Sequence, residues 1–518
     1  MPDVNTPDCL SFGDTLFLHL ERDSAPLHVA SLCIFEGQIS KDLCTRYVES
    51  KLRVIPRFRQ RVVLPALGVG PATWQFADDF DVKEHVRGVR LKHGTERELK
   101  DAVSEILSRP LRRDKPLWEF AVISGLKEDR TAILIRVHHC LADGISGVGV
   151  MSALMEQNAH PQPLPKRSIK FAQPTQQPTP AQMLDGVVTS FFQSIERLLT
   201  VDAGLLDLGR SVTALAGSIA SGTRSNGQTQ QDQADVGRIL TEVVSPTIRL
   251  PFNTMCRGPQ RFRWAAIPFD DIRAMKRACG ATVNDVVLAL LTMTVARYSE
   301  LKSVNTSERL ARVVVPVNVR ANGSEPGLGN QITFLPVSVP LGLSAKDAVA
   351  AVHARMCVLK QLHLAELVGL AGTLMGVMPL PAQEMMATFL RQWQISVCNF
   401  ICTNVPGPQM PLYLHGHKLL ACYPYVPIGG EMGMNCAVLT YDGVAHFGFT
   451  GDDKAIPDLD ILPSLLIRSF EDMKREVLGS RSRRKPTTKV RVAKGSIPAV
   501  QVKQPQPAEK AMAASAAD

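Results

Sequence analysis

A pair of α/β sandwich domains is the architecture this sequence predicts. Three observations lead there. A chain of 518 residues exceeds one ordinary domain. Each half carries strand-like and helix-like segments in mixed order. Between the halves, residues 161–180 turn rich in Pro and Gln, the composition of an exposed linker. With 45% hydrophobic residues the chain has the makeup of a globular protein. The expected division is 1–160 for the first domain, 161–244 for the linker and crossover helices, 245–478 for the second domain, and 479–518 for a basic, disordered tail.

In chain order, His28 to Phe35 reads as a strand and Lys41 to Leu52 as a helix capped by Ser40. Arg57, Arg59 and Arg61 follow Pro56, and a run of this kind is most simply a solvated face. Leu99, Val103 and Leu107 recur at i, i+4 and i+8, which predicts a helix over Arg97 to Ser108. Next come Pro116, Leu117 and Trp118, where the indole suits a packing anchor in a cleft wall better than a chemical group.

The stretch from Ile133 to Gly144 carries the chemistry. Its apolar, partly β-branched start has neither Pro nor Gly and predicts a buried strand. That strand ends in His138 and His139, with Asp143 and Gly144 just beyond. Alternation places His139 with Val137 and Ile135, and His138 with Arg136 and Leu134. Neighbours on an extended segment do not converge on one ion, so a metal site is not expected here. One imidazole faces a cleft and the other is held in the wall. Gly144 permits a turn with positive φ, Asp143 reaches back to the strand end or to an arginine, and Ser146 is placed to cap a helix bearing Val148, Met151 and Met155. A single buried histidine is more often structural than catalytic. An imidazole at a strand exit, with a pKa near neutrality, is also suited to take a proton from an alcohol or amine.

Between Met183 and Ala220 an apolar pattern returns and predicts helices, which pack between domains or lie on a membrane surface. Residues 221–235 are polar. In the second half, a strand over Phe262 to Phe269 leads to a helix over Asp271 to Ala278. Asn284 and Asp285 then open another helix, where the acidic residue is explained equally well as a cap. Strands are predicted over Val313 to Arg320 and over the segment 329–339. Asp442-Gly443 between two alternating runs, Asn435 to Tyr441 and Val444 to Thr450, is the strongest hairpin signal in the chain. A helix from Leu459 to Val477 closes the fold.

Charge and cysteine content bound the function. Of the net charge of +9, the tail from Gly479 contributes nine Lys/Arg against Glu509 and Asp518, a net of +7, which leaves about +2 for the body. A near-neutral body does not fit a nucleic-acid-binding core, while a basic tail suits anionic lipid. Eleven cysteines without CxxC pairs fit reduced, mostly buried thiols in a cytoplasmic protein. Met1-Pro2-Asp3 opens no signal peptide, and the apolar run Leu367 to Ala382 is broken by Pro379 and Pro381, so the expectation is a soluble or peripheral protein.

At His138, His139, Asp143 and Gly144 the chain resembles the bacterial wax ester synthase/diacylglycerol acyltransferase family, within the chloramphenicol acetyltransferase-like superfamily. Peptide-synthetase condensation domains share that pattern. The resemblance extends over roughly residues 10–478 through Pro26-Leu27-His28-Val29, Pro116-Leu117-Trp118, Asn284-Asp285 and Asn404-Val405-Pro406-Gly407-Pro408. It departs at Cys140 and Ala142 inside the histidine motif.

The resemblance implies two chloramphenicol acetyltransferase-like domains facing each other across a substrate tunnel, with the histidines near its middle. It implies long-chain acyl-CoA as co-substrate, no further cofactor, no metal, and diacylglycerol or a fatty alcohol as acceptor, at a membrane or lipid-droplet surface. His139 would be the general base, with His138, Asp143 and Gly144 as the other catalytic residues of the motif. Pro116, Leu117, Trp118, Asn284 and Asp285 would bind substrate or support the site. Asn284 or a backbone N–H would steady the oxyanion. A condensation-type enzyme would normally accompany carrier modules, for which the chain has no room. A non-catalytic lipid-surface or partner-binding protein is the remaining alternative.

Overall fold

The structure is a computed structural model describing residues 8–64, 72–141, 151, 153–161, 163–164, 242, 247–307, 309–318, 332–361, 385, 388 and 398–479. The expected helices between Met183 and Ala220, the apolar run from Leu367 to Ala382 and the basic tail lie outside the described residues.

The first half begins with α1 (Phe12–Leu20), whose N-terminus is closed by a reciprocal capping box between Ser11 and Asp14. β1 (His28–Glu36) and α2 (Lys41–Lys51) follow, and the Ser40 side chain accepts the Leu43 N–H as expected. The arginine run spans a 3₁₀ turn, Pro56–Arg59, and the start of a small antiparallel ribbon, β2 (Gln60–Val63) with β3 (Thr73–Phe76). Arg57 and Arg59 lie over the Trp74 and Phe76 rings rather than standing free in solvent. β4 (Val86–Arg90), α3 (Glu96–Leu107), β5 (Trp118–Leu126) and β6 (Arg130–His138) complete this part. The predicted apolar stripe of α3 is inside, with Leu99, Val103, Ile106 and Leu107 all buried. Each such side chain contributes about 1.5–3 kcal/mol relative to exposure.

In the second half, β7 (Gln260–Pro268), α4 (Phe269–Cys279), α5 (Val283–Leu301), β8 (Leu310–Asn318), β9 (Ile332–Pro340) and α6 (Ala345–Gln361) precede β10 (Phe400–Pro406). β11 (Tyr413–Leu414), β12 (His417–Tyr425), β13 (Met434–Tyr441) and β14 (Val444–Asp452) lead to α7 (Leu462–Leu478). Asp442 (φ 44°) and Gly443 (φ 78°) both take positive φ between β13 and β14, the two-residue hairpin predicted from their identity. The closing helix differs from expectation: Leu459–Ile461 forms a separate 3₁₀ turn, and Pro463 sits in the first turn of α7, where its missing N–H is harmless.

Two six-stranded sheets result, in the orders β11-β12-β1-β6-β5-β4 and β7-β14-β13-β10-β8-β9. This amends the division read from sequence. β11 and β12 lie within 245–478, yet they belong to the first sheet, where β12 pairs antiparallel with β1. The physical reason is edge satisfaction: β12 covers the side of β1 that β6 does not, and a strand so placed takes its ladder partners wherever the chain finds them.

The two sheets also share a core. Ala30, Leu32, Leu134 and Tyr425 from the first pack with Phe262 and Trp264 of β7 from the second. A second core joins α4, α5, α6 and α7 to the inner face of the second sheet. Among the described residues no single helix is long and apolar enough to cross a membrane. The bent pair α4 and α5 meets that test by composition, and Val286 to Leu291 explain why: every one is buried in this core.

Gly448 on β14 marks a close approach of the two sheets, since a methyl group there would overlap the Pro424 carbonyl oxygen and the Phe262 ring. Gly448→Ala is therefore expected to lower the melting temperature sharply, by several kcal/mol of stability. Gly443→Asn, at an open turn position with positive φ, should change it little. Equal melting of the two variants would refute the close contact.

Candidate active site

β6 is held on both sides, antiparallel to β1 and β5, and buried along almost its whole length. Its side chains alternate as the sequence requires. Ile133, Ile135 and Val137 join the core on the side of Phe35 and Trp118, whereas Ala132 and Leu134 join the core shared with the second sheet.

The strand ends at His138, and the two histidines meet different fates. His138 is fully buried. Its Nδ1 accepts the Cys140 N–H at 3.2 Å. A ring nitrogen that accepts carries no proton, so Nε2 holds it and faces the Glu21 carboxylate at 3.4 Å. That separation is long for a hydrogen bond but close for a charge. The His138 backbone N–H donates to Leu117 O at 2.9 Å. His139, one residue past the strand, is only partly buried. Its N–H donates to Leu27 O at 2.9 Å, and its ring stacks on Phe17 with centroids 3.9 Å apart and planes inclined by 15°. The wall histidine is therefore His138, and the partly exposed one is His139.

Glu21 and Phe17 were not singled out from sequence, and α1 supplies both. Glu21 caps its C-terminus, donating its N–H to Phe17 O. The Glu21 side chain is 4% exposed. It accepts the Leu27 N–H at 2.9 Å and two bonds from the Arg113 guanidinium at 3.0 and 3.2 Å. Burial by itself would raise this carboxyl, but His138, Leu27 and Arg113 together pull it down to about 2. The same carboxylate thus fixes the His138 ring and, through Leu27, the backbone of His139.

Behind His138 the wall is polar but closed. His28 lies opposite it in the β1–β6 ladder and stacks on Tyr425 at 5.5 Å. Complete burial, aided by the neighbouring Arg136 and His138, pushes His28 well below its ordinary range, so it stays neutral. Arg136 gives two 2.7 Å bonds to the Ile106 and Arg109 carbonyls and lies 3.2 Å from Glu119.

Pro116, Leu117 and Trp118 are all buried beside this strand end. Trp118 pairs with Val137, stacks on Phe58 and His85 at 4.8 and 4.3 Å, and donates its indole N–H to Phe58 O at 2.7 Å. Its contacts are those of a packing anchor. Asp143 and Gly144 lie outside the described residues. Asn284 and Asp285 sit at the start of α5. Thr282 is the cap there, and Asp285 completes a capping box by accepting the Thr282 N–H at 2.8 Å. The other partner of Asp285 is His353, so its described contacts do not lead to the histidine pair. No group of three or more His, Cys, Asp or Glu among the described residues has the geometry of a metal site.

Glu21→Gln is expected to lower stability by about 2–4 kcal/mol, because a buried charge partner is removed from His138 and Arg113. The ordinary carboxyl value is 4.5 and the folded one about 2, so the contribution is complete above pH 4.5 and is lost as pH falls from there toward 2. Acid titration of the melting temperature should be flatter for the variant in that window. Parallel acid curves would show that Glu21 bears no such charge interaction.

Residues 10–287 match the model of the wax ester synthase/diacylglycerol acyltransferase catalytic domain, more than half of the chain, and residues 328–474 match that of the WS/DGAT C-terminal domain. A Mycobacterium tuberculosis protein provisionally named a diacylglycerol O-acyltransferase is 29% identical over 475 residues, covering 87% of this chain and 93% of its own. A Mycobacterium bovis protein with a similar provisional name is 24% identical over 471 residues, covering 89% and 93%. Among solved structures, the wax ester synthase/diacylglycerol acyltransferase from Marinobacter aquaeolei VT8 is similar with a TM-score of 0.59 at 23% identity, covering 90% of this chain and 99% of that one. The first condensation domain of the CDA synthetase is similar at 0.56 with 15% identity, covering 93% and 98%. At such identities the structural likeness speaks for the fold.

Proposed function

Since the chain belongs to the wax ester synthase/diacylglycerol acyltransferase family, we propose that it moves a fatty acyl group from acyl-CoA to the hydroxyl of diacylglycerol, of a long-chain alcohol, or of both. The observation that carries the assignment of roles is the difference between the histidines. His138 is fully buried, with Nδ1 accepting the Cys140 N–H and Nε2 3.4 Å from the Glu21 carboxylate, whereas His139 is partly exposed with its backbone N–H held by Leu27 O.

In this reading His139 takes the acceptor's hydroxyl proton as the oxygen attacks the thioester carbonyl carbon. The tetrahedral oxyanion collapses, the carbon–sulfur bond breaks, and the departing coenzyme A sulfur receives the proton from the imidazolium. A thioester is already activated, so no acyl-enzyme is needed. The Phe17 ring holds the imidazole plane, and the Leu27 carbonyl holds its backbone, so little reorganisation is left for the reacting state. Asn284 or a backbone N–H serves the oxyanion, and Asp143 with Gly144 shapes the loop beyond the histidines.

Acyl-CoA and acceptor approach through a passage between the two sheet-bearing halves. The acceptors are poorly soluble in water, and the tail carries a net of +7 by the count above. We therefore place the enzyme at the surface of a membrane or lipid droplet, held there by charge and apolar contact.

The test uses purified protein with palmitoyl-CoA and either hexadecanol or diolein, following thiol release and lipid product. His139→Ala should lower turnover by about 10² to 10⁴ with melting unchanged. His138→Ala should lower the melting temperature, because it leaves the buried Cys140 N–H without its acceptor and removes one of the groups around the Glu21 carboxylate. Full activity in His139→Ala would end the general-base assignment, and absence of any ester product with either acceptor would favour a lipid-surface binding role.

A further inference from the structure

Asp285 does more than close the N-terminus of α5. Its Oδ2 lies 2.7 Å from Nδ1 of His353, which α6 presents across the helix pair. One turn further along α6, the Cys357 sulfur lies 3.6 Å from Nε2 of the same imidazole. The three groups therefore form a line of carboxylate, imidazole and thiol.

The proton positions follow from the chemistry of the ends. Asp285 is 1% exposed, and Oδ2 already accepts the Thr282 N–H at 2.8 Å. A carboxylate only accepts, so Nδ1 of His353 carries the proton that faces it. Nε2 is then the bare nitrogen, and the Cys357 S–H points its proton at a base. A thiol next to an oriented imidazole is the general arrangement for an activated sulfur nucleophile.

Access distinguishes this cysteine from the rest. Eight of the eleven cysteines are buried, Cys9 and Cys279 are intermediate, and Cys357 is exposed. The exposed sulfur is also the one with a base on a carboxylate mount. The His353 side chain is 39% exposed, so the imidazole too is within reach of a small reagent.

We propose that Cys357 is a base-assisted thiol that exchanges with low-molecular-mass disulfides, which makes this face of α6 a site of reversible S-thiolation. His353 Nε2 takes the thiol proton, and the sulfur attacks one sulfur of the disulfide. The reagent's S–S bond breaks as the mixed disulfide on Cys357 forms, and the departing thiolate leaves with the proton from His353. The disulfide reagent is the oxidant, so atoms and electrons balance without another reactant. Nothing in this step uses His139 or the acyl-transfer reading.

The experiment is a time course of full-length protein with oxidised glutathione, read by peptide mass spectrometry at Cys357, Cys9 and Cys279. Cys357 is expected to be modified about tenfold faster than the other two. His353→Gln should slow Cys357 by about tenfold while leaving Cys9 and Cys279 unchanged. That variant leaves the Thr282–Asp285 capping box in place, so its melting should match the parent's and separate lost assistance from lost structure. Equal rates at the three cysteines in the parent, or an unchanged Cys357 rate in His353→Gln, would overturn the proposal.

Discussion

A carboxylate removed from water must be met by donors, and the donors around Glu21 come from three separate segments. Leu27 comes from the approach to β1, Arg113 from the loop before β5, and His138 from the end of β6. Backbone ladders alone do not tie the three together here, because β1 only begins at His28 and β6 ends at His138. The buried charge does it instead. Its removal leaves unpaired polar groups in the wall, which is why breaking such a pair costs more than the pair is worth against a neutral replacement. The mounting of His139 depends on this: its backbone hangs on Leu27 O, whose own N–H is held by Glu21.

The interlocking of the two sheets has the same character at larger scale. β12 leaves the second half, completes the ladder of β1, and brings Tyr425 against His28. Gly448 then lets β14 come up to Pro424 without a side chain between them. The wall behind the histidines is consequently built from both halves, with Phe262 and Trp264 of β7 packed among residues of β1 and β6.

Two family motifs separate in role once their contacts are known. Pro116-Leu117-Trp118 supports the site through Leu117 O and the Trp118 stack, next to His138. Asp285, itself buried, closes the start of α5 and bonds the partly exposed His353 on α6. Both are structural in what they touch, yet only the first touches the histidine mount.

Much of the fold was legible because its signals are local. The Asp442-Gly443 turn, the Ser40 cap, the stripe on α3 and the alternation along β6 each depend on residues a few positions apart, and local sterics and hydrogen bonding decide them. The histidine pair and its division into one wall residue and one partly exposed residue were legible for the same reason. Glu21, Phe17 and His353 were not, since an isolated carboxylate, ring or imidazole carries no local mark. Their importance arises from contacts across α1, β6 and the α5–α6 pair. Likewise composition gave the expectation of a linker over 161–180, but it could not show that β12 would join the first sheet. Strand pairing between distant segments is chosen by which open edge the folded chain presents, and that is a property of the tertiary structure alone.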